Sequence, residues 1–324
     1  MEWKHCEEYT SGRKKKPLVI LTGPTAVGKT ELSIAMAGRL DGEIISADSI
    51  QVYRGMDIGS AKIMPREQQG IRHYLIDVLA PDEEFNIFIF KQMAEQAIKE
   101  IYAKGKIPIL TGGTGFYIQS VLYDIQFPEQ EDNRWRLYYE ALAKEKGKEY
   151  IHRLLREVDA EYADSVHYNN EKRVIRALEF YKQTGQKLSE HNKMQQENES
   201  PYDFRYFVLN RDRKILYDRI NRRVDLMLEQ GLVEEVKHLL DSGYNRNLVS
   251  MQGLGYKEIA AYLAGEISLR EAAEVIKRDT RRFAKRQLTW FRREKTVTFI
   301  NYEDFDNDTD QMLDVMVNMC SFRT

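Results

Sequence analysis

Residues 18–30 read LVILTGPTAVGKT. Leu18 to Thr22 is a short apolar run, rich in branched residues and stopped by Gly23, the pattern of a strand buried on both faces. Gly23-Pro24-Thr25-Ala26-Val27-Gly28-Lys29-Thr30 fits GxxxxGK[ST]. From Lys29 to Leu40 apolar residues recur at helical spacing, at Leu32, Ile34, Ala35 and Met36. Strand, glycine loop and helix in immediate succession give this pattern its mechanism. The glycines let the loop wrap with its N–H groups inward, and the helix adds the positive end of its dipole. Lys29 supplies a point charge, and the Thr30 hydroxyl is placed to ligate Mg2+. The stretch predicts a site for a diphosphate or polyphosphate. Whether that group belongs to ATP stays open on these residues.

Working outward, the same alternation continues. EIIS (43–46), YLIDV (74–78) and IPILT (107–111) read as further strands, and Ile87 to Ala103 as an amphipathic helix closed by Gly105. YFVL (206–209) and TVTFI (296–300) resume the pattern, with helices expected over 213–230, 232–242, 255–264 and 268–292. Strands alternating with helices predict an α/β fold, a P-loop NTPase-like parallel sheet flanked by helices. Between them the texture changes. Residues 130–200 are rich in Glu, Lys, Arg, Tyr and Leu and contain no proline. They predict a small all-helical insertion over 129–201 whose closing stretch, 189–200, is a polar loop. The core then comprises 17–128 and 202–324. Residues 1–16 read as a loose charged tail. The stretch 303–314, with six acids and no base, reads as a solvated terminal helix and loop.

Composition sets the outer limits. At 324 residues, 42% hydrophobic and 31% charged, the chain has material for about two domains and is not disordered. A net charge of −2 excludes a globally basic coat but leaves room for a local patch. Cys6 and Cys320 form no metal-ligand pair and fit a reducing compartment. His73, His152, His167, His191 and His238 lack metal-ligand spacing with acids or cysteines. No apolar run reaches the roughly 20 residues that span a bilayer, and the N-terminus lacks the apolar core of a secretory signal.

Two further loops leave strand ends. Asp48 follows EIIS, and in an open parallel sheet such a residue faces the ligand crevice. It can hold Mg2+ through water or take a proton from a nucleophile. Thr111-Gly112-Gly113-Thr114-Gly115-Phe116-Tyr117 leaves the next strand in the same way, with Thr114 expected opposite Asp48. The Asp-plus-catalytic-Glu arrangement of an ATP hydrolase is missing; Asp77 is the nearest candidate and has no such partner. Late in the chain, residues 277–295 hold nine Lys or Arg and two acids, a local charge of +7. Arg278, Arg281, Arg282 and Lys285 share one helical face, with Trp290 and Phe291 adding aromatic surface. Residues 205–223 carry +5, and their helix can send one arginine towards the phosphate and others outward. Charge segregated in this way suits a nucleic-acid backbone.

GPTAVGKT (23–30), ISADSIQVYRGMDIGSAK (45–62), HYLID (73–77), GGTGFY (112–117), RINRRVDLML (219–228), MQGLGYKE (251–258) and KRQLTWFR (285–292) occur in that order. Together they resemble the tRNA dimethylallyltransferases, also called tRNA isopentenyltransferases, in their bacterial form. The resemblance covers roughly residues 17–300. It implies transfer of a dimethylallyl group from dimethylallyl diphosphate to N6 of the adenine at position 37, on the 3′ side of the anticodon, giving N6-dimethylallyladenosine. It implies a cytoplasmic monomer that uses Mg2+ and has no membrane attachment. The loop Gly23, Pro24, Thr25, Ala26, Val27, Gly28, Lys29 and Thr30 would hold the diphosphate, with Thr30 on the metal. Arg223 resembles the family's diphosphate-binding arginine, Asp48 the group that accepts the amine proton, and Thr114 the hydroxyl near the bridging oxygen. Contacts to tRNA would come from Asp48, Ser49, Ile50 and Gln51, from Asn170 and Arg173 in the insertion, and from Met251, Gln252, Gly253, Gly255 and Tyr256. Arg281, Arg282, Lys285, Arg286, Gln287, Trp290 and Arg292 would complete that surface. Two rivals remain. An adenylate isopentenyltransferase would not need the +7 helix or the insertion. A P-loop kinase or ATP-driven RNA-binding module predicts ATP turnover.

Overall fold

The computed structural model describes residues 15–127, 133–196, 198–294 and 296–322. The expected loose tail therefore lies almost wholly outside the described residues, as does Cys6. In chain order the first elements are β1 (Lys16–Thr22), α1 (Lys29–Leu40), β2 (Gly42–Ala47), β3 (His73–Tyr74), α2 (Ile87–Ala103), β4 (Ile107–Gly112) and α3 (Gly115–Leu122). Then come α4 (Arg134–Lys146), α5 (Lys148–Val158), α6 (Ala160–Ser165), α7 (Glu171–Thr184) and α8 (Leu188–Gln196). The chain continues through β5 (Tyr202–Asn210), α9 (Arg213–Glu229), α10 (Leu232–Asp241), α11 (Tyr256–Leu263), α12 (Leu269–Phe291), β6 (Thr298–Asn301) and α13 (Thr309–Met319). Among the described residues no helix is long and apolar enough to cross a membrane.

The six strands form one parallel sheet in the order β3-β2-β4-β1-β5-β6. Strand β1 is central and pairs with β4 through Val19–Thr22 and with β5 along its whole length. Its interior, Leu18 to Leu21, is fully buried, as two covered faces require. The core joins Val19, Leu21, Ile44, Ile109, Phe207 and Leu209 of the sheet to Leu32 and Met36 of α1. At the carboxyl edge two hydroxyls stitch β1 to β4: Thr22 donates to Gly112 O at 2.6 Å and Thr111 to Leu21 O at 2.9 Å. This edge carries the loops read as functional.

The chain divides into two compact units, one of residues 1–121 and 201–324 and the other of residues 122–200. The second unit is helical and has its own core, built from Tyr139, Ile151, Leu155, Val174 and Leu178. Asp159 cross-braces it. Its carboxylate accepts from Tyr162 N (3.0 Å), Ser189 N (2.9 Å) and Ser189 Oγ (2.6 Å). Burial pushes the Asp159 carboxyl up, but these donors outweigh it and hold the group below the usual carboxylate range.

Three expectations are corrected. YLIDV is not a five-residue strand: only His73 and Tyr74 pair with β2, because Leu75 and Asp77 take left-handed φ of 61° and 56° and turn the chain out of the sheet. Residues 188–196 form α8 rather than a polar loop, its first turn held by the Asp159–Ser189 bonds. The acidic tail is not merely solvated. Its acids face water, but Met312, Leu313 and Met316 of α13 are buried in the main core.

Candidate active site

The phosphate loop is held from outside. Gly23 has φ 146°, and a Cβ there would stand 2.5 Å from Leu209 O, so only glycine lets the loop leave β1 against β5. Carbonyls of the loop are engaged by basic side chains. Lys29 Nζ donates to Gly23 O (2.9 Å) and Pro24 O (2.8 Å). Arg219 Nε donates to Ala26 O at 2.9 Å, and Arg211 Nε to Val27 O at 3.2 Å. Arg211 also lies over the Tyr302 ring, 3.3 Å from its centroid. With these carbonyls engaged, the first-turn amides of α1, which have no intrahelical partner, remain to meet an anion. Burial, joined by the Arg223 charge and opposed by Asp48, brings the Lys29 ammonium from its ordinary value down to about 7. An anion in the loop reverses that balance and restores the full charge.

Neighbouring strand ends place the other two groups. Ala47 pairs with Gly112 at the last rung of β2 and β4, and Thr114 N donates back to Ala47 O at 3.3 Å. Asp48 and Thr114 thus leave the sheet side by side. Asp48 Oδ1 accepts from Ile50 N (2.9 Å) and Gln51 N (3.4 Å), a side-chain-closed turn that fixes the carboxylate's direction. Gly112 is required here: a Cβ would overlap the Ala47 carbonyl, with its carbon at 2.5 Å and its Cα at 2.9 Å. Gly112→Ala is expected to destabilise the fold by about 1–3 kcal/mol, read as a lowered Tm. An unchanged Tm would mean that this strand end is looser than drawn.

A cavity of about 490 Å3 opens at this edge. Thr25, Asp48, Gly113, Thr114 and Arg223 line it together, so the phosphate loop, the carboxylate and the hydroxyl share one space. Its apolar wall includes Ile50, Tyr53, Phe85, Tyr117, Val224, Met227 and Phe283. Phe85 packs edge-on against Tyr53 (6.3 Å between centroids) and Tyr117 (5.8 Å), and Tyr117 stacks on Phe90 at 4.4 Å. Burial, with Tyr53 and Asp48 nearby, pushes the Tyr117 phenol well above its ordinary value, so it stays protonated. Of the three arginines on α9 read as candidates, Arg223 lines the cavity, Arg219 braces the loop from behind, and Arg222 is exposed.

The expected RNA-contacting residues divide. Ser49, Gln252, Arg282, Lys285, Arg286 and Arg292 are exposed, and Ile50, Gly253 and Gly255 line the cavity. A second hollow of about 400 Å3 is bounded by Arg282, Lys285, Arg286, Thr289, Trp290 and Arg293. Asn170 and Arg173 are exposed at the start of α7, in the helical unit. Two residues are corrected to supporting roles inside the protein, and a third, Gln287, is largely buried but still lines the cavity. Met251 is fully buried. Tyr256 is fully buried and donates its hydroxyl to Glu235 Oε1 at 2.8 Å. Gln287 is 6% exposed: its Oε1 accepts from Thr25 N (2.9 Å) and its Nε2 donates to Gly113 O (3.0 Å), tying the two glycine loops together. Gln51 too is engaged by the protein, with Ser46 Oγ at 3.1 Å and Ser60 O at 3.3 Å. Arg281 reaches Asn221. Sequence reasoning missed Arg211, whose only signal was its place just before the arginine-bearing helix. It also missed Glu235, one acid of an amphipathic helix.

A group of His, Cys, Asp and Glu able to hold a metal does not occur among the described residues. The Thr30 side chain is exposed in the first turn of α1. One such hydroxyl beside phosphate oxygens is the hard-oxygen set that suits Mg2+, a cation that keeps several waters and takes few protein ligands.

Residues 51–294 match the family described as IPP transferase. The chain is 57% identical over 302 residues to a tRNA dimethylallyltransferase from Lachnoclostridium phytofermentans, covering 93% of this chain and 96% of that one. It is similar to the crystal structure of a tRNA delta(2)-isopentenylpyrophosphate transferase from Staphylococcus epidermidis, with TM-score 0.71 and 44% identity over 96% of this chain and all of the other. A eukaryotic dimethylallyltransferase caught acting on tRNA aligns with TM-score 0.82 and 29% identity, over 95% of this chain and 80% of its own.

Proposed function

This chain belongs to the IPP transferase family, and from that premise we propose that it moves a dimethylallyl group from dimethylallyl diphosphate to N6 of adenine 37 in tRNA. One observation carries the reading: Asp48 and Thr114 open into the same cavity as the phosphate loop's Thr25 and Arg223. A nucleophile deprotonated at Asp48 therefore meets a carbon whose leaving group lies in the loop.

The reaction is a substitution at the allylic carbon. The N6 lone pair forms the new C–N bond, the C–O bond to diphosphate breaks, and diphosphate departs with the bonding pair. An exocyclic amine on a purine is a poor nucleophile, so most of the driving force must come from neutralising the leaving group. Lys29, Arg223 and the loop amides face that developing charge. Thr30 would hold Mg2+ at the loop, and the ion would supply further charge neutralisation there. The N6 proton passes to the Asp48 carboxylate, which its turn aims into the cavity. Thr114 directs its hydroxyl at the oxygen being released. The apolar wall of Tyr53, Phe85 and Tyr117 gives the hydrocarbon a dry surface and excludes the water that would hydrolyse an allylic cation.

The adenine must leave its stack to enter, at a cost of a few kcal/mol. The exposed bases of α12 offset this through phosphate contacts. Arg282→Ala combined with Lys285→Ala is expected to weaken RNA binding and to lower the slope of log K against log salt by about 2. A filter-binding titration measures it, and an unchanged slope returns this face to solvent. The monomeric, cytoplasmic reading is the one the family resemblance implies, and the buried free Cys320 suits a reducing compartment.

The deciding experiment incubates the protein with dimethylallyl diphosphate, Mg2+ and an anticodon stem-loop bearing adenine 3′ to the anticodon, then weighs the RNA by mass spectrometry. A gain of one dimethylallyl group per RNA is expected. No gain, with ATP hydrolysed instead, rejects the reading.

A further inference from the structure

Glu235, on the first turn of α10, receives four hydrogen bonds from groups that line or back the cavity. Its Oε2 accepts from Asp57 N (3.0 Å) and Ile58 N (2.7 Å), and its Oε1 from Gly59 N (3.1 Å) and Tyr256 Oη (2.8 Å). Gly59 lies flat on the Tyr256 ring, where a Cβ would stand 2.6 Å from ring carbons. The backbone so gripped is a wall of the cavity, since Gly59, Ser60 and Ala61 line it together with Asp48. From the wall the bonding continues. Gln51 Nε2 donates to Ser60 O at 3.3 Å, Gln51 Oε1 accepts from Ser46 Oγ at 3.1 Å, and Gln51 N donates to Asp48 Oδ1 at 3.4 Å. Hydrogen bonds, joined by the short backbone of Gly59–Ser60 and the Gln51 side chain, thus link a carboxylate on one helix to the group that takes the proton.

We infer that Glu235 is a positioning residue for the transfer step, clamping loop 57–61 and, through Gln51, the Asp48 turn. The chemistry of the donor set demands a carboxylate. All four groups that face it are donors, and three are backbone N–H groups that cannot reverse. A carboxylate presents acceptors to all of them. A glutamine in the same pose turns an NH2 group onto at least one backbone N–H, and that segment must shift. Because Glu235 itself does not line the cavity, its effect is expected on the rate of the chemical step rather than on capture of either substrate.

This inference rests on the proposed reaction, and the test separates the two. Wild type, Glu235→Gln and Tyr256→Phe are compared by single-turnover and steady-state transfer, by thermal melting, and by hydrogen–deuterium exchange of the peptide covering 55–62. Glu235→Gln is expected to speed exchange in that peptide and to lower kcat on the order of ten- to a hundredfold, the scale of small misplacements of reacting groups. The KM values for dimethylallyl diphosphate and RNA stay near wild type. Tyr256→Phe, which removes one donor and leaves the three amides held, gives a smaller fall in kcat with the same unchanged KM. Wild-type kcat in Glu235→Gln overturns the inference, as does a loss appearing only in KM. If Glu235→Gln fails to fold, Tyr256→Phe decides, and wild-type kcat there overturns it. Absence of transfer by the wild type defeats the proposed reaction, and this inference with it. Transfer by the wild type, matched by both variants, defeats this inference alone.

Discussion

Asp48→Ala is expected to slow transfer on the order of 100- to 10,000-fold, the range for a lost proton acceptor, and to leave RNA affinity nearly intact. The alanine also removes the Oδ1 that accepts from Ile50 N and Gln51 N, so some loss of geometry is mixed with the loss of chemistry. Asp48→Asn separates the two. Asparagine keeps a side-chain oxygen for the turn but cannot take a proton at neutral pH. If Asp48 is the acceptor, both variants lose comparable activity and both bind RNA. Recovery of most activity in Asp48→Asn would make the residue a scaffold, and a parallel collapse of binding would make it an anchor for the base.

Lys29→Ala is expected to lower the transfer rate on the order of 100- to 1,000-fold, as for removal of a preorganised donor to developing negative charge. Lys29 is half-buried, with its ammonium on the Gly23 and Pro24 carbonyls. Its charge is held back by desolvation and by Arg223, so it gains most when an anion arrives. Single-turnover transfer should fall and calorimetry should show weakened diphosphate binding, while the Tm stays near wild type. A fully active Lys29→Ala would shift the burden to Arg223 and the amides, and the loop would then act mainly as a backbone nest.

The parts of this arrangement written locally could be read in advance. Strand, glycine loop and α1 are contiguous, and Asp48 and Thr114 follow strand ends directly, so parallel-sheet geometry alone sends them to one crevice. What escaped reading depends on partners far away in the chain. Gln287 bridges Thr25 and Gly113 across 262 and 174 residues, and in KRQLTWFR it is indistinguishable from its exposed neighbours. Met251 and Tyr256 sit in a segment that looks like a contact loop, yet packing against Gly59 and the Glu235 bond draw the tyrosine inside. Helix α8 shows little apolar periodicity to read, and what anchors it is Asp159, 30 residues before Ser189 in its first turn. YLIDV has strand composition throughout, but Asp77 bonds to the buried Lys62 and the chain turns away after two residues.

The central strand also dictates an order of assembly. Lys16 to Thr22 finds one neighbour in β4, about ninety residues on, but its other neighbour is β5. On the ribosome, therefore, the N-terminal half-sheet emerges with an open flank, and the whole helical unit must be translated before Tyr202–Asn210 can seal it. Arg223 and Gln287 come later still. A nascent chain stopped before β5 has an incomplete anion cradle and a bare, sticky border, and premature termination in the middle of this gene should yield a chaperone client rather than a partly active enzyme.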